Sequence, residues 1–427
     1  MAQGDSKMPP KTVTHKWQFQ SRFRRGAFGW RSQPAIQRVK EAVSEIKKVA
    51  RKDPMLAAEG AVRFLERVSP ALEQVDSSSG AIGTAVNRAT TELVSLIATA
   101  PTDVHTRAGW LDRLFDAQAA DEIPYIERLS DHWGELCVSK ETASLWADRL
   151  LEPTRMALSP AKDERGFFHG TTACLSALLT AARYDEILEL LAHDAIWPYK
   201  QWAAKSLHLQ GRRAEAIRYA EACRSSGASE WEIDTFCEEL LLESGLADEA
   251  YRRYGLNANR AGTYLAWFRA VGKKYPHKAP REILADLVAL TPGEEGKWFA
   301  AAKDAKLFDE AVALVSRAPT DPRTLTRAAR DFAETRPAFA IESGIAALRW
   351  IAEGYGYEIT GADVLSAYQH TMKAAAQQGS VDATQKRISG LVAAKTAGAR
   401  FVTKILQREL DRVPDRAAGR SKITRGI

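Results

Sequence analysis

Two stretches of the sequence decide the fold: Gly211-Arg-Arg-Ala-Glu-Ala216 and Gly245-Leu-Ala-Asp-Glu-Ala250. Each lies between two segments in which apolar residues recur at helical spacing. The glycine ends a first helix, the acid favours the positive end of a second helix, and the small alanine lets the two helices approach closely. Each stretch therefore predicts the turn of a helical hairpin.

Similar stretches recur along the chain. A third clear copy starts at Lys306, and weaker copies start at Ala182, Lys278 and Thr335. The six starting positions are 29, 34, 33, 28 and 29 residues apart. A drifting period of about 30 residues is typical of stacked helical hairpins.

These copies resemble tetratricopeptide repeats (TPR), whose turn is followed by a similar Glu-Ala pair. The resemblance covers residues 165–350 and is carried best by the copies at Gly211 and Gly245. The aromatic and glycine positions of the family's first helix are not kept regularly, and the period is often shorter than the family's. The resemblance implies a right-handed α-solenoid of TPR-like hairpins that holds a protein or peptide segment on its concave face.

The rest of the sequence also predicts helices. Ile36, Val39, Val43 and Ile46 form one apolar stripe, and Asp53-Pro54 has the pattern of an N-cap followed by proline in the first turn. Alternating runs rich in Val, Ile and Thr are essentially missing, so we expect an all-α fold. We divide the chain into a disordered basic arm, a helical domain, a TPR-like solenoid with C-terminal capping helices, and a disordered basic tail, at residues 1–33, 34–158, 159–413 and 414–427.

Composition excludes some classes of protein. The chain has 427 residues, of which 27% are charged and 45% are hydrophobic, and this balance is not that of a fibrous or wholly disordered protein. The net charge of +6 hides an uneven distribution. Residues 1–52 carry 13 basic and 3 acidic side chains, residues 400–427 carry 8 and 3, and the middle of the chain carries 39 and 48. Basic ends therefore flank an acidic body, and a local positive field of this kind attracts polyanions.

The basic arm is one candidate site, because it mixes cations with aromatic rings. Cations can meet phosphates while the rings stack on unpaired bases, and the same mixture also suits an acidic groove on a protein. The candidate polyanion-binding residues are Lys16, Trp17, Arg22, Arg24, Arg25, Trp30 and Arg31.

Aromatic residues of the repeats form the second candidate site. In the TPR family the first helix of each pair lines the concave face, so the resemblance implies that aromatic residues there could anchor a peptide. The alternative is that most of these rings fill the seams between helices. The candidate groove residues are Trp197, Tyr199, Lys200, Trp202, Trp231, Trp267 and Trp298.

No motif for catalysis, a metal or a cofactor stands out. The pairs His132/Cys137 and His169/Cys174 lack the repeated ligand spacing of a zinc site. Residues 293–297 resemble a phosphate loop only superficially, because two acids separate their glycines. We therefore expect no cofactor, no metal and no enzymatic activity, although an active site assembled from distant residues stays open as an alternative.

Compartment signals favour the cytoplasm. Four cysteines in a chain of this length are too sparse for a secreted disulfide framework, and the sequence has no apolar leader and no long apolar run. The sequence thus predicts a cytoplasmic, non-enzymatic scaffold or adaptor that binds a protein or peptide and no membrane. The alternative is a nucleic-acid-binding factor that uses both basic ends. No sequence pattern identifies the partner or the oligomeric state.

Overall fold

The computed structural model describes residues 15–159, 161, 166–193, 196–226, 228–393 and 396–410. Within these ranges the chain forms helices and turns and no strand, which confirms the all-α prediction. The tail predicted at 414–427 and the first 14 residues of the predicted arm lie outside the described residues.

The chain divides into two compact units, Met1–Phe236 and Cys237–Ile427, and the division falls within helix α12 (Glu230–Glu243). Two 3₁₀ helices, Glu127–His132 and Cys223–Ser226, accompany the α-helices of the first unit. Those α-helices are α1 (Gln18–Arg22), α2 (Ser32–Ala50), α3 (Pro54–Leu72), α4 (Ala81–Thr99), α5 (Val104–Ala119), α6 (Trp133–Cys137), α7 (Lys140–Ala157), α8 (Thr171–Thr180), α9 (Tyr184–Leu190), α10 (Trp197–Leu209) and α11 (Arg213–Ala222).

The second unit contains a π-helical turn at Tyr251–Gly255 and a 3₁₀ helix at Glu295–Trp298. Its α-helices are α13 (Ala247–Ala250), α14 (Leu256–Ala258), α15 (Tyr264–Lys274), α16 (Pro280–Leu290), α17 (Phe299–Asp304), α18 (Phe308–Arg317), α19 (Pro322–Phe332), α20 (Pro337–Ala352), α21 (Gly361–Gln378), α22 (Val381–Val392) and α23 (Ala397–Leu410).

One hydrophobic core of the first unit extends from Trp17 to Ala203. It therefore crosses the position, 158/159, at which the sequence suggested a domain boundary. Helices α7 and α8 pack together on the two sides of that position, and Arg183 reaches back to Asp148 at 2.5 Å. The predicted boundary therefore falls inside one compact unit, because the helices on its two sides bury apolar faces against each other.

The predicted hairpin turns at four of the six starting positions share one geometry. Ala182, Gly211, Gly245 and Lys306 all have φ between +60° and +80°. In each turn the next backbone N–H donates to the carbonyl five residues earlier, as Arg212 does to Leu207 at 2.9 Å, which is the Schellman arrangement. The turns at Lys278 and Thr335 lack the left-handed residue, and the helices after them begin at Pro280 and Pro337.

The acid of the repeated stretch has the predicted place in all four turns, and the small residue has it in three, because isoleucine stands at position 187 in the turn at Ala182. Glu215 lies in the first turn of α11, where it accepts a hydrogen bond from the Arg212 guanidinium at 2.5 Å. The alanines at the next position, Ala216, Ala250 and Ala311, are completely buried. Close helix approach therefore depends on these alanines, since a longer side chain would have no space there.

The left-handed turn residue gives a matched pair of substitutions. We expect Gly211→Ala to lower the free energy of unfolding by about 1 kcal/mol, because a Cβ is unfavourable at positive φ, although it would meet no atom within 4 Å. Ala182→Gly changes the same turn position in the opposite direction and should cost nothing. Urea denaturation of both variants is the measurement, and equal losses in the two would contradict the role of the backbone conformation.

The second unit has a central helix, α20. Twelve of its 16 residues are buried, and α18, α19, α21, α22 and α23 pack around it. A Cβ at Gly344 would lie 1.8 Å from Oγ1 of Thr371, so α20 and α21 approach closely at this glycine. A helix that is apolar over most of its surface needs such coverage, and its two charged side chains, Glu342 and Arg349, pair with Arg387 and Glu353.

Candidate functional site

The predicted aromatic groove residues are mostly parts of the two cores. Trp197, Trp202, Trp267 and Trp298 are buried, and only Trp231, at 50% exposure, presents a large surface. In the second unit the rings of Trp267 and Trp298 lie 5.5 Å apart, and their indole N–H groups donate to Leu256 O and Thr291 Oγ1. These indoles are thus satisfied inside the fold.

The stretch around Tyr199 and Lys200 opens helix α10. Both side chains are half-buried, and the Lys200 ammonium lies 5.7 Å from the centre of the Tyr219 ring. Trp197 contacts Phe236 edge to face at 5.3 Å. The structure therefore uses this aromatic and basic stretch to pack α10 within the first unit.

The N-terminal segment is folded where the structure describes it, in contrast to the disorder expected for residues 1–33. Trp17, Phe19 and Phe23 are buried against α2 and α3, and the Phe23 ring lies 5.0 Å from that of Phe64. Glu45 of α2 accepts hydrogen bonds from the backbone N–H groups of Gln18 and Phe19, at 2.7 and 3.1 Å. The aromatic residues of the segment are therefore core residues, and a buried Trp17 cannot stack on a base.

The cations of the same segment fall into two groups. Arg22 pairs with Glu41 at 3.0 Å and Arg25 pairs with Glu73 at 3.3 Å, so both help to hold the segment on the helices. The second group is exposed and has no ion-pair partner among the described residues; it consists of Lys16, Arg24 and Arg31. Trp30 is 72% exposed beside this group.

A second concentration of positive charge lies in a groove between α2 and α4. It has a volume of about 390 Å³. Its cationic lining residues are Lys40, Lys47, Lys48, Arg51 and Arg88. Glu92 is the carboxylate in the lining, and it accepts hydrogen bonds from Lys47 at 2.9 Å and Arg88 at 3.1 Å. The pKa of Glu92 lies below its usual value, mainly because its carboxylate accepts the hydrogen bond from Lys47.

Glu92 therefore ties the two walls of the groove together. Lys40, Lys48 and Arg51 are exposed and make no ion pair with any side chain in the described part of the chain. Their charge is available to a ligand without the loss of an internal contact.

The floor of the groove is apolar and made of small side chains. Val39 and Val43 lie four residues apart on α2, and Ala85 and Ala89 lie four residues apart on α4. Residues at this spacing occupy one face of a helix. The groove exists because two alanines stand where larger side chains would fill the space between the helices.

The sequence indicates the basic face of α2 but not this groove. Lys47 and Glu92 are 45 residues apart in the chain, and no local pattern shows that α4 returns to lie beside α2. Two features of the sequence could have indicated the groove. The first is a helix that is basic outside its apolar stripe, and the second is a later helix that carries Ala at a four-residue interval.

The histidines and cysteines considered as metal ligands have other environments. His132 contacts Glu135 at 3.1 Å, and the His169 ring packs on Phe115 at 5.1 Å. Burial raises the pKa of the Cys137 thiol to about 12 and that of Cys174 to about 11. Across the described ranges, no three His, Cys, Asp or Glu side chains group as metal ligands.

The loop that superficially resembles a phosphate loop is occupied by its own side chains. Lys297 pairs with Glu294 at 2.6 Å, and the side chain of Glu295 accepts the backbone N–H of Gly293. An anion would have to displace these carboxylates.

No protein-family model matches the chain, and comparison with curated proteins finds none similar to it. None of the helices in the described portion is long and apolar enough to cross a membrane.

Proposed function

We propose that this protein is a non-enzymatic adaptor that binds a segment of a partner protein in the groove between α2 and α4. The observation that carries the proposal is the excess of cations around an apolar floor, three of them without an ion-pair partner among the residues that the structure describes. Protein interfaces combine an apolar centre with charges at the rim that steer and orient the partner. This groove differs from the aromatic one suggested by the sequence, whose residues are mostly buried.

We also propose that the hairpins with left-handed turns are TPR-like and that the protein is cytoplasmic. The four identical turns, with their acid and buried alanine or isoleucine, support the first proposal. The four cysteines are buried and not joined by disulfides, which is compatible with a reducing compartment and supports the second.

Photo-crosslinking tests the adaptor function. Ser44 is exposed at the edge of the groove, and Ser95 is exposed on α4 outside it. With a photoreactive p-benzoylphenylalanine at Ser44, the intact protein should form an adduct with a protein from an extract of its source cells, and the same residue at Ser95 should not. Mass spectrometry identifies the adduct.

A steric variant controls for chance contacts in this experiment. Ala85→Leu should abolish the adduct, because the leucine side chain fills the groove without changing its charge. Adducts that form equally at Ser44 and Ser95, or that persist in Ala85→Leu, would refute binding in the groove.

A further inference from the structure

Resting on the adaptor function, we propose that the segment bound between α2 and α4 is an acidic amphipathic helix of the partner protein. The charge, the floor and the length of the groove each restrict the chemistry of the occupant.

The charge of the groove determines which sign of charge the occupant carries. Five cations and one carboxylate line the groove, and that carboxylate already accepts hydrogen bonds from Lys47 and Arg88. Lys40, Lys47 and Arg51 are spaced by seven and four residues, so they form one row along α2. Arg88 stands on the opposite wall, with a side chain that is 82% exposed. An occupant therefore meets positive charge on both sides and needs carboxylates on both of its flanks.

The floor distinguishes a helix from a polyanion or a membrane. No aromatic ring is among the residues that line the groove, so bases would find no stacking platform. The accessible part of the floor, at Ala85 and Val43, lies below the rim of cations, so it does not protrude into lipid tails as the apolar residues of membrane-surface helices do. A recessed apolar floor instead receives the apolar stripe of another helix.

The length of the groove suits about three helical turns. Its α2 wall extends from Val39 to Arg51, which corresponds to about 18 Å at the rise of an α-helix. An occupant of this length presents apolar residues at two or three successive turns and acids beside them. Such spacing matches helix-in-groove recognition.

The chain's own terminal segments do not fit the groove. Residues 1–14 contain two lysines and one acid, and residues 411–427 contain five cations and two acids. Both segments have the same sign of charge as the groove, and like charges across an interface oppose binding. The occupant is therefore supplied by another protein.

Fluorescence anisotropy with the full-length protein tests this proposal. The probe is a labelled 16-residue helical peptide with Leu at three- and four-residue intervals and Glu on both flanks of that stripe. A scrambled peptide of the same composition, a 16-nucleotide single-stranded RNA and phosphatidylserine vesicles are the comparison ligands. We expect the amphipathic peptide to bind at least about tenfold more tightly than the scrambled one, since only the former can place its leucines on the floor.

Two groove variants and one matched control separate charge from shape. The triple variant Lys40→Glu, Lys48→Glu, Arg51→Glu should weaken peptide binding by about 30-fold or more, and Ala85→Leu by about tenfold. The triple variant Lys16→Glu, Arg24→Glu, Arg31→Glu has the same change of net charge outside the groove and should weaken it less than about threefold. The charge variants alter exposed side chains without ion-pair partners in the described residues, and their unfolding midpoints verify that the fold is kept.

The outcomes distinguish the occupant from the adaptor function. Equal binding of the amphipathic and scrambled peptides, or tighter binding of RNA or vesicles, overturns the acidic helix. Self-association that the groove variants abolish would assign the groove to a second copy and also overturn it. If Ser44 crosslinks specifically to a protein but the acidic peptide does not bind, the adaptor function stands and the occupant's chemistry is wrong. If neither occurs, both proposals fail.

Discussion

Gly60→Ala should lower the free energy of unfolding of the first unit by about 3 kcal/mol and release the N-terminal segment from α3. A Cβ at Gly60 would lie 2.2 Å from Cζ2 of Trp17, so the indole ring has to leave its buried position. In a helix interior the same substitution normally stabilises, because alanine has the higher helix propensity. The expected sign is therefore opposite to that predicted by helix propensity alone.

Two measurements follow the effect of Gly60→Ala. Urea denaturation gives the change in stability, and limited trypsin digestion reports on the segment, because Arg22, Arg24 and Arg25 are exposed cleavage sites within or just after α1. Trypsin should cut the released segment of the variant faster than the bound segment of the unmodified protein, because local opening controls proteolysis.

The controls isolate the contact between Gly60 and Trp17. Gly109 lies exposed in α5, where a Cβ meets no atom within 4 Å, so Gly109→Ala should stabilise by up to about 1 kcal/mol. Trp17→Ala should cost about as much as Gly60→Ala, and the double variant should cost no more than either single one. Additive losses would show that the ring contact is not the cause.

Arg113→Met should destabilise the first unit by about 2 kcal/mol at neutral pH, less than the loss of a fully buried ion pair, because solvent screens these half-buried side chains. Arg113 of α5 donates to Glu66 through Nε and Nη2, at 2.8 and 2.7 Å, and to Glu59 through Nη1 at 2.9 Å, so it joins α5 to two carboxylates of α3. The three side chains are half-buried, with 26 to 34% of their side-chain surface exposed, and removing the shared cation leaves the carboxylates only partly compensated.

The loss of stability in Arg113→Met depends on pH because of Glu59. Burial alone would raise the pKa of Glu59, but hydrogen bonds from Arg63, Arg113 and Trp110 outweigh it and lower the pKa below its usual value. A carboxyl group with a lowered pKa in the folded state contributes stability above its unfolded pKa and loses it as the pH falls. The difference between Arg113→Met and the unmodified protein should therefore shrink below about pH 4.

Two substitutions control for charge and for exposure. Arg113→Lys keeps the charge but loses the forked geometry, so it should show an intermediate loss. Arg155→Met removes the exposed pair with Glu152 and should cost less than about 0.5 kcal/mol. Urea denaturation at several pH values measures all three, and a pH-independent loss in Arg113→Met would contradict the ionic cause.

The local features of this fold could be predicted from the sequence, and the long-range ones could not. Asp53 caps α3 by accepting the backbone N–H of Leu56 at 2.9 Å, as the Asp-Pro pattern indicated, because a cap depends on four consecutive residues. The turn at Gly211 was predictable for the same reason. The burial of Trp17 was not, because it depends on the absence of a side chain at Gly60, 43 residues away.

The candidate site shows the same limit. The basic residues of α2 are visible in the sequence, but whether they form a free surface or a groove depends on the helix that lies beside them. The prediction of an aromatic groove failed for a related reason. The sequence does not distinguish a ring on a binding face from a core ring such as that of Trp298, which is completely buried and hydrogen-bonded. Exposure is a tertiary property, and the sequence pattern reports it only when one helix face is clearly polar.

The position of α20 at the centre of the second unit has a consequence for biosynthesis. Its partners α18 and α19 precede it in the chain, whereas α21, α22 and α23 follow it and end at Leu410. The ribosome needs roughly 3 to 12 s to add the residues between Ala352 and Leu410. During that interval one side of a strongly apolar helix is uncovered in the nascent chain, and it offers a binding surface for a chaperone before the unit closes.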